Sequence, residues 1–346
     1  MASQLAKPDT NADDDESINT IMIISHTHLL ALSNLKGLGP KKIHSIVEFL
    51  RGEGTGQLSD KELCDIIHVM IQRKALKGIK EFSSFAFENA VDNAQRILDS
   101  TMSRNISMVS RYDESFPEAL LKTVNEDGKE SIPLFLFYKG NLSIANNKSI
   151  AIIGTREPSL EGEIAGKFFA KALAEKGVNI VSGLALGCDT AAHKGALEGF
   201  GVTTATLGNG LDTIYPPENV ELAEQIVSNG GLLLSEYPVG EEATPYTLVA
   251  RDRLQAALSQ AVLVIQTAIK GGTMHAVNAA SIAGKPVFAV EYKKNLSSEF
   301  ISGNLSLIQQ GIAKPISGST DDVYILYDSL KTVDNKLPEG TQLSIF

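Results

Sequence analysis

Apolar positions along the chain follow two different rules. Between residues 18 and about 100 they recur at intervals of three and four, in KKIHSIVEFL (41–50) and again in DKELCDIIHVMIQ (60–72). That interval is one face of a helix. Glycines and short polar stretches separate the pieces. The pattern predicts a small all-helical domain over 19–104. From residue 105 short unbroken apolar runs take over, alternating with Ala- and Lys-rich stretches. The predicted strands are ISMV (106–109), LFLFY (134–138), SIAIIG (149–154), VNIVSG (178–183), VTTATLG (202–208), LLLSEY (232–237), AVLVIQ (261–266) and PVFAV (286–290). Predicted helices include IAGKFFAKALAEKG (164–177), TAAHKGALEG (190–199) and TMHAVNAASIAG (273–284). A strand that is apolar at every position is covered on both faces, as parallel sheets require. Repeated strand–helix–strand therefore predicts an α/β, Rossmann-like, mostly parallel sheet with helices on both faces, over 105–328. Residues 1–18 are acidic and polar and are expected to be disordered. Residues 329–346 are expected to form a flexible tail.

Composition narrows the class only slightly. At 346 residues there is room for two domains, and 43% hydrophobic with 21% charged residues is ordinary for a soluble globular protein. The net charge of −10 opposes a surface uniformly attractive to nucleic acid, but leaves room for a local basic groove. Two cysteines, Cys64 and Cys188, cannot make a disulfide framework or a four-ligand zinc site, and they fit a reducing compartment. The opening residues lack an apolar signal core. The runs IPLFLF and AVLVI fall far short of a membrane span. A cytoplasmic protein without membrane attachment is expected.

One cluster could change that picture. Cys188, Asp189 and His193 fall within six positions, and Asp189 and His193 are four apart on one helical face. A metal site would need further ligands, and no other His or Cys lies at a suggestive spacing. A Cys188 nucleophile would need a base, and His193 already lies inside the helix. The preferred reading has Asp189 or Thr190 capping a helix through Ala191 to Leu197, with Cys188 and His193 packed near the turn. No catalytic residue, metal or cofactor is expected.

Anion-binding features are more numerous. Strand 149–153 ends in Gly154-Thr155-Arg156, where Arg156 offers a planar fork of donors suited to phosphate. Ligands of open parallel sheets bind beyond the carboxyl ends of the strands. The strand after Ala174 ends at Val181 and runs into the turn Ser182-Gly183, and strand 202–207 leads into Gly208-Asn209-Gly210. Gly271, Gly272 and Thr273 sit at another helix start, where free N–H groups favour anions. Arg251 and Arg253 flank one residue just before a helix and a buried strand; they are either salt-bridged structure or phosphate contacts. None of this is G-x-G-x-x-G, so dinucleotide binding is unsupported. Leu38-Gly39-Pro40-Lys41-Lys42 is compatible with a hairpin on a DNA phosphate or with a plain turn.

The series SIAIIGTRE, SGLALGCDTAAHKGAL, TLGNGLDTIYPPEN, GLLLSEYPVG, RDRLQAALSQAVLVIQ and SGNLSLIQQG resembles the DprA/Smf DNA-processing family. The upstream stretch SRYDESFPEALLKTVNEDGKESIPLFLFYKGN resembles the beginning of that family's Rossmann-like domain. The helical segment sits where the family has a SAM-like or helix-hairpin-helix domain. The resemblance covers about 30 to 320. It implies a non-enzymatic protein that binds single-stranded DNA, forms a homodimer and helps load a RecA-type recombinase in DNA uptake or repair. It also implies that Arg156 is a groove residue, that Gly183, Gly208 and Asn219 line the groove, and that Arg251 and Arg253 match the family's R-N-R. The chain departs from the pattern at Asp252 (for Asn), Gln266 (for Glu), Gly271-Gly272 (for Ser-Gly) and EYKKN (for a Pro-Gly start). Separately, Gln342-Leu343-Ser344-Ile345-Phe346 resembles the short peptide by which replication proteins dock on the sliding clamp, a further expected partner.

Two other classes compete. A nucleotide-binding or phosphoribohydrolase-like Rossmann protein of the lonely-guy type needs a glycine-rich loop followed by a catalytic Glu, and KGGTMHAVN has no acid in its next turn. A nucleotide-sensing partner of a larger system is the third reading. For the lead reading, Tyr215 and Phe200 are the aromatics placed to stack on bases.

Overall fold

The computed structural model describes residues 24–51, 58–79, 82–125, 127–292 and 298–330, with only the backbone of Ser298. Segment 1–18 and the peptide Gln342–Phe346 lie outside the described residues. The chain divides into two compact units, Met1–Gln95 and Arg96–Phe346. Among the described residues no helix is long and apolar enough to cross a membrane.

The first unit is helical, as the three-and-four spacing requires. It contains α1 (His26–Ser33), α2 (Pro40–Arg51), α3 (Asp60–Gln72) and the start of α4 (Ser84–Met102). The Ser25 hydroxyl accepts from the His28 N–H at the start of α1, and Ser59 with Glu62 forms a reciprocal capping box on α3. Leu29, Leu30, Ile43, Ile46, Leu63 and Ile67 are fully buried.

The second unit is built on β1 (Ser107–Ser110), β2 (Phe135–Gly140), β3 (Ser149–Ile153), α5 (Leu160–Ala174), β4 (Asn179–Ser182), α6 (Cys188–Glu198), β5 (Thr203–Leu207), α7 (Val220–Ser228) and β6 (Leu232–Ser235). It continues through α8 (Pro245–Ala250), α9 (Asp252–Leu258), β7 (Ala261–Val264), α10 (Thr273–Ile282), β8 (Val287–Val290), α11 (Ser298–Gln309), β9 (Lys314–Ile316) and α12 (Thr320–Ser329). The strands form one sheet in the order β1-β2-β6-β5-β4-β3-β7-β8-β9. From β6 to β9 every neighbouring pair is parallel, while β1–β2 and β2–β6 are antiparallel. The expected mostly parallel α/β sheet is present. β9 has no counterpart in the predicted strands, because three residues around Pro315 at a sheet edge carry no apolar run.

Alternation along β3 shows why its sequence is apolar from Ile150 to Ile153. Ile150 and Ile152 join Phe169 and Leu173 of α5 on one face. Ala151 and Ile153 join Ala276, Val277 and Ala280 of α10 on the other. Successive side chains of a strand point to opposite faces, so both sets need apolar partners. The direction of winding reverses beside β3. β4, β5 and β6 are laid down on one side, then the chain returns through α8 and α9 to place β7 on the other. The diverging loops after β3 and β7 leave a crevice at the carboxyl ends.

His193 is fully buried on α6. The Thr203 hydroxyl donates to the Ile180 carbonyl, so Nδ1–H of His193 must be the donor in its 2.7 Å bond to Thr203 Oγ1. Nε2 then has no partner among the described residues. Burial, and secondarily the Arg251 charge, push the ring down to about 3. The unfolded chain takes up a proton near pH 6.5 that the folded ring refuses, so this contribution to stability is whole above 6.5 and is lost as pH falls toward 3. The stability difference between the wild type and His193→Asn, from urea unfolding, should shrink by about 2 kcal/mol between pH 7.5 and pH 5. A pH-independent difference would show that the ring is not held neutral.

Candidate functional site

At the reversal beside β3 the structure holds a cleft of about 540 Å³. Ile153, Gly154, Thr155 and Arg156 form one side, and Thr267, Ala268 and Gly271–Thr273, leading into α10, form another. Ala243–Pro245, Leu248 and Val249 from α8 and its approach, with Arg251, Asp252 and Gln255, complete the wall; Ala185, Asp189 and Tyr215 also line it. Its size and its mixture of apolar walls with a few polar groups suit a small organic ligand or one unit of a polymer.

Backbone and side-chain bonds fix both loops. The Thr155 N–H donates to the Gln266 carbonyl at 2.7 Å, and the Cys188 N–H donates to the Thr155 carbonyl at 3.1 Å. The Gln266 amide accepts from the Ser159 N–H and donates to the Ser159 hydroxyl, tying the loop after β7 to the start of α5. Asn304 of α11 accepts from the Thr267 N–H and donates to the carbonyls of Ile265 and Val290. No side chain caps the start of α10.

Four charged side chains line the cleft. Arg156 is exposed and has no hydrogen bond or ion pair among the described residues. Arg251 is buried, at 5% exposure. Its Nη1 donates to the Gly183 and Thr206 carbonyls, and its Nε donates to the Leu248 carbonyl and lies 2.9 Å from Asp252 Oδ1. Asp189 is buried and accepts from the N–H groups of Gly183 and Ala185. Burial pushes its carboxyl above the usual range, while the Arg251 charge and those N–H groups pull it back. Burial likewise raises Asp252, to about 6, against the pull of Arg251 and with a push from Asp189.

The expected cluster resolves into structure. Burial, aided by the Asp189 charge, pushes the Cys188 thiol up to about 12, so it carries no thiolate near neutral pH. Asp189 does not cap its own helix, which begins earlier, at Cys188 after Gly187. Its carboxylate turns back to the loop after β4, where Leu184 adopts a left-handed φ of 59°. The Asn219 amide donates to the Leu184 carbonyl at 2.8 Å, and the two bonds to Asp189 help hold that unfavourable backbone.

Of the residues singled out in the sequence, the cleft brings together Gly154, Thr155, Arg156, Arg251, Gly271, Gly272 and Thr273. Ser182, Gly183, Gly208, Asn209, Asn219 and Arg253 do not line it. Ser182 donates to the Ile152 carbonyl, and the Asn209 amide donates to the carbonyls of Gly210 and Thr213. A side chain on Gly208 would meet the Thr247 carbonyl at 2.9 Å, so α8 covers the loop after β5. Arg253 is paired twice with Glu236, at 2.6 and 2.7 Å, and also bonds Ser131. Tyr215 lines the cleft, whereas Phe200 follows α6 and precedes β5, at the amino-terminal end of the strands, opposite the cleft. Sequence reasoning missed the α8 wall and Gln255. The Thr244-Pro245 helix start was the available signal for the former.

Gly183 tests the arrangement. A Cβ there would fall on the Arg251 guanidinium. Gly183→Ala should expel that cation, leave two buried carboxyls without their counter-charge, and cost about 3 kcal/mol in urea unfolding. An unchanged midpoint would show that Arg251 moves aside freely.

Residues 107–327 match the family described as DNA recombination-mediator protein A. Protein Smf of Escherichia coli is 37% identical over 186 residues, or 54% of this chain and 48% of that protein; the match thus spans about half of that relative's length. The crystal structure of DNA processing protein A from Streptococcus pneumoniae superposes with a TM-score of 0.66 at 29% identity, covering 88% of this chain and 98% of that one. DNA processing protein A from Helicobacter pylori, whose structure was described for its single-stranded DNA binding mode, matches with a TM-score of 0.55 at 30% identity over 64% of this chain and 96% of that one. With the cleft at the β3–β7 reversal and a family match across most of the second unit, the chain belongs to the DNA recombination-mediator protein A family.

Proposed function

We propose that this chain binds single-stranded DNA at the β3–β7 cleft and acts without catalysis, as a mediator that assists a RecA-type recombinase. The observation that carries the reading is Arg156: an exposed guanidinium at the cleft, with no protein partner among the described residues. Arginine left free beside an uncapped helix start is suited to phosphate oxygens. The single-stranded DNA binding described for the H. pylori relative supports the same chemistry.

In this reading Arg156, Thr155 and the Gly271–Thr273 turn hold the backbone, and Tyr215, 45% exposed, offers a ring for a base. Arg251 shapes the floor and leaves Nη2 without a hydrogen-bond partner among the described residues. Gly154 allows the close packing of the loop on Cys188. Ser182, Gly183, Gly208, Asn209, Asn219 and Arg253 act from behind, as supports of the rim. A homodimer, cytoplasmic location, and clamp docking through Gln342–Phe346 belong to the same proposal.

Arg156→Ala should weaken binding to oligo-dT about tenfold at moderate salt, lower the slope of log K against log salt by about 1, and leave the melting temperature unchanged. Arg253→Ala should lower the melting temperature through loss of the Glu236 pair, with the salt slope retained. Equal affinity of Arg156→Ala and wild type would overturn the placement of DNA in this cleft.

A further inference from the structure

One wall of the cleft carries a carboxylate oxygen that has no donor among the described residues. Asp252 is the first residue of α9 and its side chain is 14% exposed. Oδ1 lies 2.9 Å from Arg251 Nε in an ion pair and accepts from the Gln255 amide at 3.1 Å. Oδ2 has no donor among the described residues. Beside it Gln255, itself 2% exposed, has its Oε1 buried without a partner. That carboxylate oxygen belongs to a side chain that lines the cleft and keeps some exposure, so it is open to an N–H brought by a ligand. The Gln255 bond and the Arg251 ion pair, both at Oδ1, fix the direction of the carboxyl group, so the free oxygen is presented in one orientation. The Arg251 guanidinium offsets its charge, which keeps the cleft tolerant of a polyanion.

On the reading that this cleft takes single-stranded DNA, we propose that Asp252 reads the edge of an inserted base and favours guanine. An ionised carboxylate only accepts. Guanine offers N1–H and N2–H side by side on its Watson–Crick edge. Thymine's N3–H is flanked by two carbonyl oxygens that face a carboxylate with like partial charge. In cytosine and adenine the single amino donor adjoins a ring nitrogen that is itself an acceptor. Guanine is thus the base that presents adjacent donors to Asp252 with no acceptor forced against it. Arg156 contributes phosphate contact without regard to base.

The test is fluorescence anisotropy with labelled 15-mers of thymine, and of thymine with guanine, deoxyinosine, cytosine or adenine at every third position. Wild type should bind the guanine strand about tenfold more tightly than the thymine strand, the discrimination expected of a paired base contact. Deoxyinosine, which lacks the N2 amine, should fall between them. Asp252→Asn, which presents a donor as well as an acceptor, should level the series, while Arg156→Ala should weaken every strand alike and keep the order. Equal wild-type affinities, or a guanine preference surviving in folded Asp252→Asn, would overturn the role of Asp252 and leave DNA binding intact. Failure of wild type to bind any strand would overturn both. The wild-type series and the inosine strand need no variant, so a folding defect in Asp252→Asn does not blunt the test.

Discussion

The buried guanidinium of Arg251 is the interaction on which the site depends. It joins the carbonyl ends of β4 and β5, through Gly183 and Thr206, to the junction of α8 and α9. Three segments distant in sequence are thereby fixed at one corner of the cleft. A buried cation is tolerable only with close counter-charge and full hydrogen bonding. Asp252 and Asp189 supply the first, and the strand-end carbonyls supply much of the second. The glycine at 183 follows from the same constraint, because a side chain there would occupy the space of the guanidinium.

That constraint separates two arginines that sequence alone makes look equivalent. Arg251 and Arg253 lie on either side of Asp252, and both were open to structural or phosphate-binding roles. In the fold one is a strut beneath the cleft and the other is paired with Glu236, away from it. Arg156 is different because it has no hydrogen bond or ion pair among the described residues, although its charge acts on Asp252. The cleft therefore combines a fixed floor with, among the described residues, an exposed guanidinium at its wall; on the proposed reading it takes a backbone phosphate outside and a flat ring inside.

Much of the sheet was legible because strands buried on both faces are dominated by apolar residues, as β3 after Ser149 and β7 throughout are. The edge strand β9 was invisible for the opposite reason, since Lys314 and Pro315 face partial solvent exposure and carry no pattern. The loops after β3 and β7 were legible as anion-friendly turns. The loops after β4 and β5 carry the same glycine signature, yet they pack against Arg251 and α8. Glycine marks close approach of a backbone to something, and sequence does not say whether that neighbour is ligand or protein. Asp189 likewise read as a helix cap, and only the fold shows its carboxylate spent on the preceding loop.

The account's central claim is that single-stranded DNA enters the β3–β7 cleft. Photocrosslinking of a thymine strand carrying a photoreactive base, followed by peptide mapping of the full chain, tests it most directly. The account predicts crosslinks on the segments around Thr155–Arg156, Tyr215, Thr244–Val249 and Thr267–Thr273. Crosslinks confined to the helical unit before Gln95, or to the Phe200 end of the strands, would contradict it.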